Sequence, residues 1–305
     1  MKNILIIGGT GFIGRNIIEA LYEGRFNIVL LSRDEKFFGY ERCRDVKLIN
    51  GCLSDVSLIK NILSEENIDV VIHLASSLIP GSNKNQFYNE LKEIIFPTIE
   101  ILDYIACLNI KIIFFSSGGA IYGSSNQNID ETYPLYPINY YGQSKLIIEK
   151  YMLFLNSYKG LRYVILRPSN VYGKYQRIES EQGFIAVAAG KMISGNIIDI
   201  WGKGDAIRDY VNVSDVAKVV RNILEQDIEN EIFNLGTGIG HTLLNIINIL
   251  EEQLDIKANI EFKDNRIIDL ERITLNIGKL SSFVEYDPVE LKVGVVDFIK
   301  TLLKN

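Results

Sequence analysis

Short apolar runs alternate with longer segments of helical periodicity along the first half of the chain. The apolar runs are rich in Ile, Val and Phe, are bounded by turn residues, and lie at residues 4–7, 28–31, 70–74 and 110–115. Between them, apolar residues recur at three- and four-residue spacing over residues 16–22, 57–63 and 98–108. Short runs without alternation are typical of parallel strands buried on both faces. Alternating strands and helices predict a doubly wound parallel α/β sheet.

The pattern changes after about Tyr172. One further apolar strand, at residues 164–166, is followed by Gly, Tyr, Gln and charged residues. Beyond it the periodicity predicts a helix over residues 183–194, a short strand over residues 231–235 and a second helix over residues 242–254. Thr242 is the expected N-cap of the second of these helices, because its hydroxyl can accept from a free backbone N–H.

This change of pattern predicts two domains. We expect a larger domain over residues 1–170, to which segments near residues 208–236 return, and a smaller C-terminal α/β domain over residues 171–305. No linker rich in Pro, Gly or Ser separates them, so the two domains should share an interface. The cleft between them is therefore the expected ligand site.

The composition excludes several classes of protein. The chain has 305 residues, and its net charge of -6 with no long Lys/Arg block argues against a nucleic-acid partner. No run approaches the roughly 18 apolar residues of a membrane-spanning helix. The chain has only two histidines, which argues against a metal site. Its three cysteines lack C-x-x-C spacing, which argues against a zinc site and a disulfide framework; they are Cys43, Cys52 and Cys107. We expect a cytoplasmic protein with reduced thiols and no membrane or metal partner.

A glycine-rich turn joins the first predicted strand to the first predicted helix and has the sequence Gly8-Gly9-Thr10-Gly11-Phe12-Ile13-Gly14. Gly8 permits a tight turn, Gly11 lets the backbone approach a pyrophosphate, and Gly14 lets the helix pack closely. The helix N-terminus supplies N–H groups and positive partial charge. Because a strand precedes the turn and a helix follows it, the turn predicts a dinucleotide site of the Rossmann type. The expected contacts are Gly8, Gly11, Phe12, Ile13 and Gly14.

The end of the second strand predicts which dinucleotide is bound. An NAD site places a carboxylate there to accept hydrogen bonds from the ribose hydroxyls. Here the strand ends in Ser32-Arg33-Asp34, and a hydroxyl beside a guanidinium suits the 2′-phosphate of NADP. In the alternative, Arg33 lies on the surface and Asp34 binds the ribose of NAD. We expect NADP, with contacts from Ser32 and Arg33.

A second motif, Tyr141-Gly142-Gln143-Ser144-Lys145, places Tyr141 and Lys145 one helical turn apart. A tyrosine hydroxyl has a pKa of about 10, and a nearby ammonium makes it a usable proton donor or acceptor. The strand at residues 110–115 ends in Ser116-Ser117, at the edge where parallel strands meet their ligands. Ser117 is therefore a candidate for binding a substrate oxygen and holding Tyr141 in place.

Together with five further pieces of the chain, these two motifs resemble the extended short-chain dehydrogenase/reductases, the NAD-dependent epimerase/dehydratase family that acts on nucleotide sugars. The seven pieces follow one another along the chain in the order that the family has. The resemblance covers essentially the whole chain. It implies a Rossmann domain that binds the dinucleotide and a C-terminal domain that binds the nucleotide sugar. The other matching pieces are Asp69-Val70-Val71-Ile72-His73-Leu74-Ala75, residues 116–123, Arg167-Pro168-Ser169-Asn170-Val171-Tyr172-Gly173, Arg208-Asp209-Tyr210-Val211, and Arg266 with Asp269.

The resemblance implies a role for each matching position. Tyr141 would transfer a proton, and Lys145 would bind the cofactor ribose and tune Tyr141. Further cofactor contacts would come from Leu53, Leu74, Ala75 and Pro168. The sugar nucleotide would be bound by Asn170, Arg208 and Arg266 at its diphosphate and by Asp269 near its ribose. Trp201 would be either an aromatic side chain near the base or ordinary core, and His73 would be a packed core residue.

Three departures from the family pattern narrow the chemistry. Gly118 stands where relatives carry a catalytic Ser or Thr, which leaves that role to Ser117 or to a water. Gly118-Gly119-Ala120 replaces the Thr-Asp-Glu of the 4,6-dehydratases, and elimination of water needs those carboxylates. Ala120 and Tyr175 replace the Cys and His with which GDP-fucose synthases epimerise beside the carbonyl. Dehydration and double epimerisation are therefore not expected.

The remaining chemistry is hydride transfer at one carbon of the sugar, C4. In the preferred interpretation, NADPH reduces a nucleotide-linked 4-keto-6-deoxyhexose in the synthesis of cell-surface polysaccharide precursors, and Tyr141 donates the proton. In the alternative, a retained NAD oxidises and re-reduces C4, which is the reaction of a UDP-hexose 4-epimerase. A non-catalytic sugar-nucleotide sensor is a third class, against which the intact Tyr141 and Lys145 pair argues. The resemblance also implies a homodimer formed through helices near residues 98–108 and 144–155.

Overall fold

The computed structural model describes residues 1–22, 26–33, 46–180, 182–264 and 270–303. The strands in these ranges are β1 (Lys2–Ile7), β2 (Phe26–Ser32), β3 (Val46–Asn50), β4 (Val70–His73), β5 (Lys111–Phe115), β6 (Tyr163–Pro168), β7 (Asn170–Tyr172), β8 (Ile198–Trp201), β9 (Ile207–Asn212), β10 (Glu231–Leu235), β11 (Gly240–Thr242), β12 (Ile260–Lys263) and β13 (Arg272–Ile273).

The helices in the same ranges are α1 (Phe12–Tyr22), α2 (Val56–Glu65), α3 (Lys84–Glu90), α4 (Phe96–Cys107), α5 (Gly118–Ile121), α6 (Tyr140–Lys159), α7 (Phe184–Ile193), α8 (Val213–Glu225), α9 (Leu243–Leu254), α10 (Gly278–Phe283) and α11 (Leu291–Leu302). A π-helical segment, Leu91–Ile95, connects α3 to α4. None of the described helices is both long enough and apolar enough to cross a membrane.

Seven parallel strands form the main sheet, in the order β10-β6-β5-β4-β1-β2-β3. Helices α1 and α8 cover one face with one apolar core, and α2, α4 and α6 cover the other face with a second. The strand order reverses beside β1, and such a reversal opens a crevice at the carboxyl ends of β1 and β4. The predicted doubly wound α/β fold is confirmed.

The remaining strands form two small sheets in the second half of the chain. Strands β7, β9, β11 and β13 form a four-stranded sheet, and β8 pairs with β12. Helices α7, α9 and α11 pack around a third apolar core. The predicted cap of α9 is confirmed, because the Thr242 hydroxyl accepts from the N–H of Asn245 at 3.1 Å.

Among the described elements that the hydrophobic pattern does not mark, one lies in the main sheet and one lies next to the crevice. Strand β3 lies at the edge of the main sheet, and its consecutive residues Lys47 and Leu48 are both exposed, so neither an apolar run nor an alternation marks it. The second is the helical stretch from α3 through Leu91–Ile95, which is mostly polar and exposed. This stretch nevertheless brings one buried carboxylate to the crevice.

Candidate active site

The glycine-rich turn connects β1 to α1 and leaves an open cradle at the N-terminus of that helix. Gly8 has φ +83°, and a Cβ there would lie 2.9 Å from the backbone nitrogen of Ala75. At Gly14 a Cβ would lie 2.4 Å from the Cα of Gly9. At Gly11, by contrast, a Cβ would meet only the Gly8 carbonyl oxygen, at 3.4 Å, among the described atoms. The cradle fits a dinucleotide pyrophosphate, which the backbone N–H groups from Phe12 onward would hold, since the Gly11 N–H already donates to the Gly8 carbonyl at 3.2 Å.

The other predicted cofactor residues lie along the carboxyl edge of the sheet. Leu74 and Ala75 directly follow β4, and the Leu74 N–H donates to the Ile7 carbonyl at 2.9 Å, which brings both residues to the glycine turn. Pro168 is the buried last residue of β6. Leu53 follows β3 and is 5% exposed within the apolar core beneath this edge.

The residues expected to determine whether NADP or NAD is bound lie at the end of β2. Ser32 is the last residue of the strand and is buried, and its carbonyl accepts from the Gly51 N–H at 2.8 Å. Arg33 follows it and is exposed. Asp34, the carboxylate of the NAD alternative, lies outside the described residues.

Helix α6 carries the proposed catalytic pair and begins unusually close to α5. The Asn139 side chain accepts from the Gly142 N–H at 2.8 Å and caps the helix. A Cβ at Gly142 would lie 2.2 Å from the carbonyl oxygen of Ala120, so a glycine is required where α6 meets α5. This approach sets Tyr141 beside Ser117, the residue that precedes α5.

The Lys145 ammonium lies under the crevice among aromatic rings. Its Nζ is 5.1 Å from the ring centre of Phe114 and 5.7 Å from that of Tyr141. Burial lowers the pKa of Lys145 to about 8, although the carboxylates of Glu90 and Glu149 act in the opposite direction. An amine in this range changes its charge close to neutral pH, which is common in active sites.

The Tyr141 hydroxyl keeps its proton at neutral pH. Burial raises its pKa, the hydrogen bond with the Ser117 side chain lowers it, and the charge of Glu90 raises it again. A phenol that is still protonated can donate to a developing alkoxide. The site is therefore suited to proton donation from Tyr141, with Ser117 as its hydrogen-bond partner.

Gly118 occupies a position that has no room for the Ser or Thr side chain that the family resemblance implies there. A Cβ there would lie 2.6 Å from the Leu275 side chain and 2.8 Å from the carbonyl oxygen of Arg167. The second of these contacts is with the backbone of β6, which cannot shift without disturbing the sheet. Ser117 is thus the better candidate for the third catalytic residue.

We predict that Ser117→Ala lowers turnover about 100-fold, because it removes the hydroxyl that is placed to hold Tyr141 and to donate to the substrate oxygen as negative charge develops there. Adding Gly118→Ser to that variant should not restore turnover, because the new side chain meets the Arg167 carbonyl. Steady-state rates of the single and double variants measure both effects. Recovery in the double variant would show that residue 118, and not Ser117, is the position suited to the hydroxyl.

Two further titratable side chains lie beside the pair. Glu90 is 1% exposed, and its charge acts on both Tyr141 and Lys145, although no sequence pattern singled it out. His73 is 1% exposed, with Nε2 at 2.9 Å from the Thr98 hydroxyl, as expected of a packed core residue. Burial and the nearby Lys145 charge lower the pKa of His73 to about 3, so its ring is neutral.

Two of the predicted substrate residues lie on neighbouring strands of the four-stranded sheet. The Asn170 side chain, on β7, donates to the backbone carbonyl of Asp209 at 2.9 Å, directly after Arg208 on β9. The Asp209 carboxylate is 1% exposed and accepts from the backbone N–H groups of Thr237, Gly238 and Leu275. This buried carboxylate fixes the strand that presents Arg208.

Of the other three predicted substrate residues, the structure describes only Trp201. Trp201 ends β8 in the two-stranded sheet and is 41% exposed, which excludes its interpretation as ordinary core. Arg266 and Asp269 lie outside the described residues.

The sequence and the fold agree with one family. A family model described as the NAD dependent epimerase/dehydratase family matches residues 4–236. The chain belongs to this family. Its homologues are NAD(P)-dependent nucleotide-sugar epimerases and reductases, and the chain is an enzyme of this kind.

Two curated members of the family match almost the whole chain. One is a provisionally assigned UDP-glucose 4-epimerase of Methanocaldococcus jannaschii, 33% identical over 99% of both chains. The other is a dTDP-4-dehydro-6-deoxyglucose reductase of Escherichia coli, 30% identical over 99% of this chain and 98% of the relative. The two relatives thus carry the names of the two reactions that the sequence left open.

Two solved structures of the family have nearly the same fold. The UDP-glucose 4-epimerase of Thermotoga maritima, solved with UDP-glucose, has a TM-score of 0.90 at 29% identity and covers 99% of both chains. The UDP-glucose 4-epimerase of Thermus thermophilus, in complex with NAD, has a TM-score of 0.89 at 27% identity over 99% of both chains.

Proposed function

We propose that this family member is an NADPH-dependent reductase of a nucleotide-linked 4-keto-6-deoxyhexose, acting in the synthesis of cell-surface polysaccharide precursors. The observation that carries the cofactor choice is the end of β2, where buried Ser32 precedes exposed Arg33. A guanidinium there suits a 2′-phosphate, whereas an NAD site places a carboxylate at this edge. The similarity to an Escherichia coli reductase over almost the full chain supports the same reaction.

Each residue around the crevice would have its own role in such a reduction. A dihydronicotinamide dinucleotide, when bound along the glycine cradle, would supply the hydride that the carbonyl carbon receives. Tyr141 donates its proton to the carbonyl oxygen, and Ser117 holds the phenol in place. Lys145, near the Tyr141 ring, supplies a positive charge that stabilises the tyrosinate left behind.

The substrate nucleotide would lie on the side of the four-stranded sheet. The Asn170 amide and the Arg208 guanidinium are candidates for its diphosphate, because charge-assisted contacts from Arg match phosphate oxygens. Arg266 and Asp269 remain predictions from the family pattern for the diphosphate and the nucleoside ribose. Trp201, exposed at the end of its strand, remains a candidate contact for the sugar.

A UDP-hexose 4-epimerase is the second candidate. The two solved relatives with TM-scores of 0.90 and 0.89 are UDP-glucose 4-epimerases, and one of them contains NAD. The same Tyr141 and Lys145 pair would serve both reactions, since an epimerase removes and returns the proton that a reductase only donates. The difference is whether the cofactor leaves after one hydride transfer.

We expect the reductase to prefer NADPH and the epimerase to use NAD, and substitution of Arg33 tests this difference. Arg33→Ala should weaken NADPH binding about tenfold to a hundredfold and leave NADH almost unchanged, because only NADPH carries the 2′-phosphate. Ser32→Asp should move the preference in the same direction by repelling that phosphate. Dissociation constants of both cofactors, measured by nicotinamide fluorescence, test this prediction.

An Arg→Ala change on another exposed surface provides the control. Arg221 on α8 pairs with Glu225 at 2.8 Å, and Arg221→Ala should change neither dissociation constant. A wild-type protein that already binds NADH more tightly than NADPH would contradict the NADP assignment and make the epimerase the leading function.

We further propose that the enzyme is a homodimer that works in the cytoplasm. Helices α4 and α6 pack together through Asp103, which binds both Tyr151 and Lys159. This helix pair leaves Phe154 and Tyr158 53% and 70% exposed, with their rings stacked at 5.4 Å. Burying these two aromatic side chains against a second copy would supply an apolar centre for a dimer interface.

The dimer can be tested by sedimentation. Changing Phe154 and Tyr158 together to Lys should convert the dimer to a monomer, because each charge would be buried in the interface. Phe262→Lys, at a site 55% exposed on β12, is the matched control and should leave the mass unchanged. A wild-type protein that sediments as a monomer would contradict the proposal.

A further inference from the structure

Glu90 is a buried carboxylate that the proposed reaction does not yet use. It is the last residue of α3 and is 1% exposed. The Ser76 hydroxyl and the Ser77 N–H donate to its two oxygens, each at 2.9 Å, and the Ser77 hydroxyl donates as well. None of the ion pairs between described side chains includes Glu90. A buried charge held only by neutral donors is costly, and such groups are common at functional sites.

The elements around Glu90 fix it against the catalytic helix. Helix α3 packs on α6, where the Phe87 and Tyr140 rings stack with their centres 5.1 Å apart. Leu91–Ile95, which follows Glu90 directly, is π-helical, and single π turns occur frequently at functional sites. Ser76 and Ser77 follow the carboxyl end of β4, at the same edge as the glycine turn. Glu90 is thus anchored at the crevice from two directions.

The titratable groups that Glu90 influences are those of the reaction. Its negative charge raises the pKa of Lys145 against the effect of burial, and it also raises the pKa of Tyr141. Two other titratable groups are linked to Lys145: Glu149, whose charge acts like that of Glu90 and which is paired with buried Arg167, and His73, whose ring is neutral.

We propose that Glu90 is a positioning residue of the active site, whose buried carboxylate, fixed by Ser76 and Ser77 against the catalytic helix, supplies the negative charge that balances the Lys145 ammonium. An ammonium at Lys145 is the charge state that a reductase needs when Tyr141 gives its proton to a carbonyl oxygen. An ammonium beside the phenol also stabilises the tyrosinate that forms once the proton has left. This role rests on the proposed reductase function, but the charge of Lys145 itself can be measured without substrate.

The first test follows the titration of Lys145 in the cofactor-free protein. Acetic anhydride acetylates neutral amines, so the extent of Lys145 acetylation against pH, read by peptide mass spectrometry, reports its pKa. The wild type should titrate near pH 8, the value to which burial lowers the pKa of Lys145. Glu90→Gln should move this midpoint down by about one pH unit, the usual effect of losing a nearby opposite charge.

Two further variants make this result decisive. Glu93→Gln, which removes an exposed carboxylate one turn away, should leave the midpoint unchanged. Glu90→Met removes the same charge with an apolar side chain of similar length. It should give the same shift in the midpoint, and it replaces Glu90→Gln if that variant does not fold. A midpoint for Glu90→Gln or Glu90→Met equal to that of the wild type would overturn the proposal. An equal shift in Glu93→Gln would overturn it too.

The second test is the pH profile of turnover with NADPH and dTDP-4-keto-6-deoxyglucose as probe substrate. The rate should fall as the pH rises through the pKa of Lys145, and in Glu90→Gln this fall should begin about one pH unit lower. A role in packing alone would lower the rate at every pH and leave the profile in place. If the substrate is not reduced, the proposed function fails, while the acetylation result still decides the role of Glu90.

Discussion

Tyr141→Phe should lower turnover by about 10²–10⁴-fold, the range usually lost with a general acid. The change removes the hydroxyl that Ser117 holds and leaves the ring that packs near Lys145. Cofactor affinity should therefore stay close to that of the wild type. Initial rates with saturating NADPH, together with a dissociation constant for NADPH, measure the two effects separately.

The neighbouring tyrosine offers a matched control. Tyr140 is 37% exposed, and its ring stacks on Phe87, so Tyr140→Phe removes a hydroxyl from the adjacent position and keeps the ring contact. This variant should retain most of the activity. Retention of more than about a tenth of the wild-type rate by Tyr141→Phe would contradict its role as proton donor.

Glu149→Gln should destabilise the protein by about 3–5 kcal/mol, the usual cost of leaving one member of a buried ion pair without its partner. Arg167 and Glu149 are 2% and 0% exposed, and they pair through two hydrogen bonds of 3.1 and 2.7 Å. Arg167 also donates to the Tyr122 hydroxyl at 2.7 Å, and that hydroxyl donates to Asn234 at 2.7 Å. The free energy of unfolding, from urea denaturation, measures the loss.

A double variant and a surface pair separate the buried charge from other effects. Glu149→Leu with Arg167→Met should recover most of the stability, because neither charge is left unpaired. At the exposed pair of Arg221 and Glu225, Glu225→Gln should cost less than about 1 kcal/mol. Equal losses of unfolding free energy in Glu149→Gln and Glu225→Gln would contradict the conclusion that burial makes the pair of Glu149 and Arg167 important for stability.

The glycine turn and the main sheet apart from its edge strand β3 could be predicted because their signals are local. The strands at residues 4–7 and 28–31 lie in the interior of a parallel sheet, so their apolar runs are continuous. At Gly8 the requirement is a positive φ, which the residue type reveals directly. The spacing of Tyr141 and Lys145 is likewise a property of one helix.

The parts of the site that the sequence did not indicate depend on contacts between distant segments. Gly142 is required by the Ala120 carbonyl, and Gly118 by the Arg167 carbonyl, and neither requirement leaves a pattern in the chain. Glu90 lies in a polar helical stretch, where one more carboxylate looks like solvated surface. Only the fold shows that its partners are Ser76 and Ser77, which follow a different strand.

The cofactor carried by the purified enzyme tests the central claim, that NADPH binds, gives up one hydride and leaves. The protein is denatured, and the dinucleotide that it releases is identified and counted by mass spectrometry against the amount of chain. The account predicts a protein without tightly held NAD that takes up added NADPH in preference to NADH. One NAD released per chain would contradict the reductase, since a retained NAD is what a 4-epimerase needs.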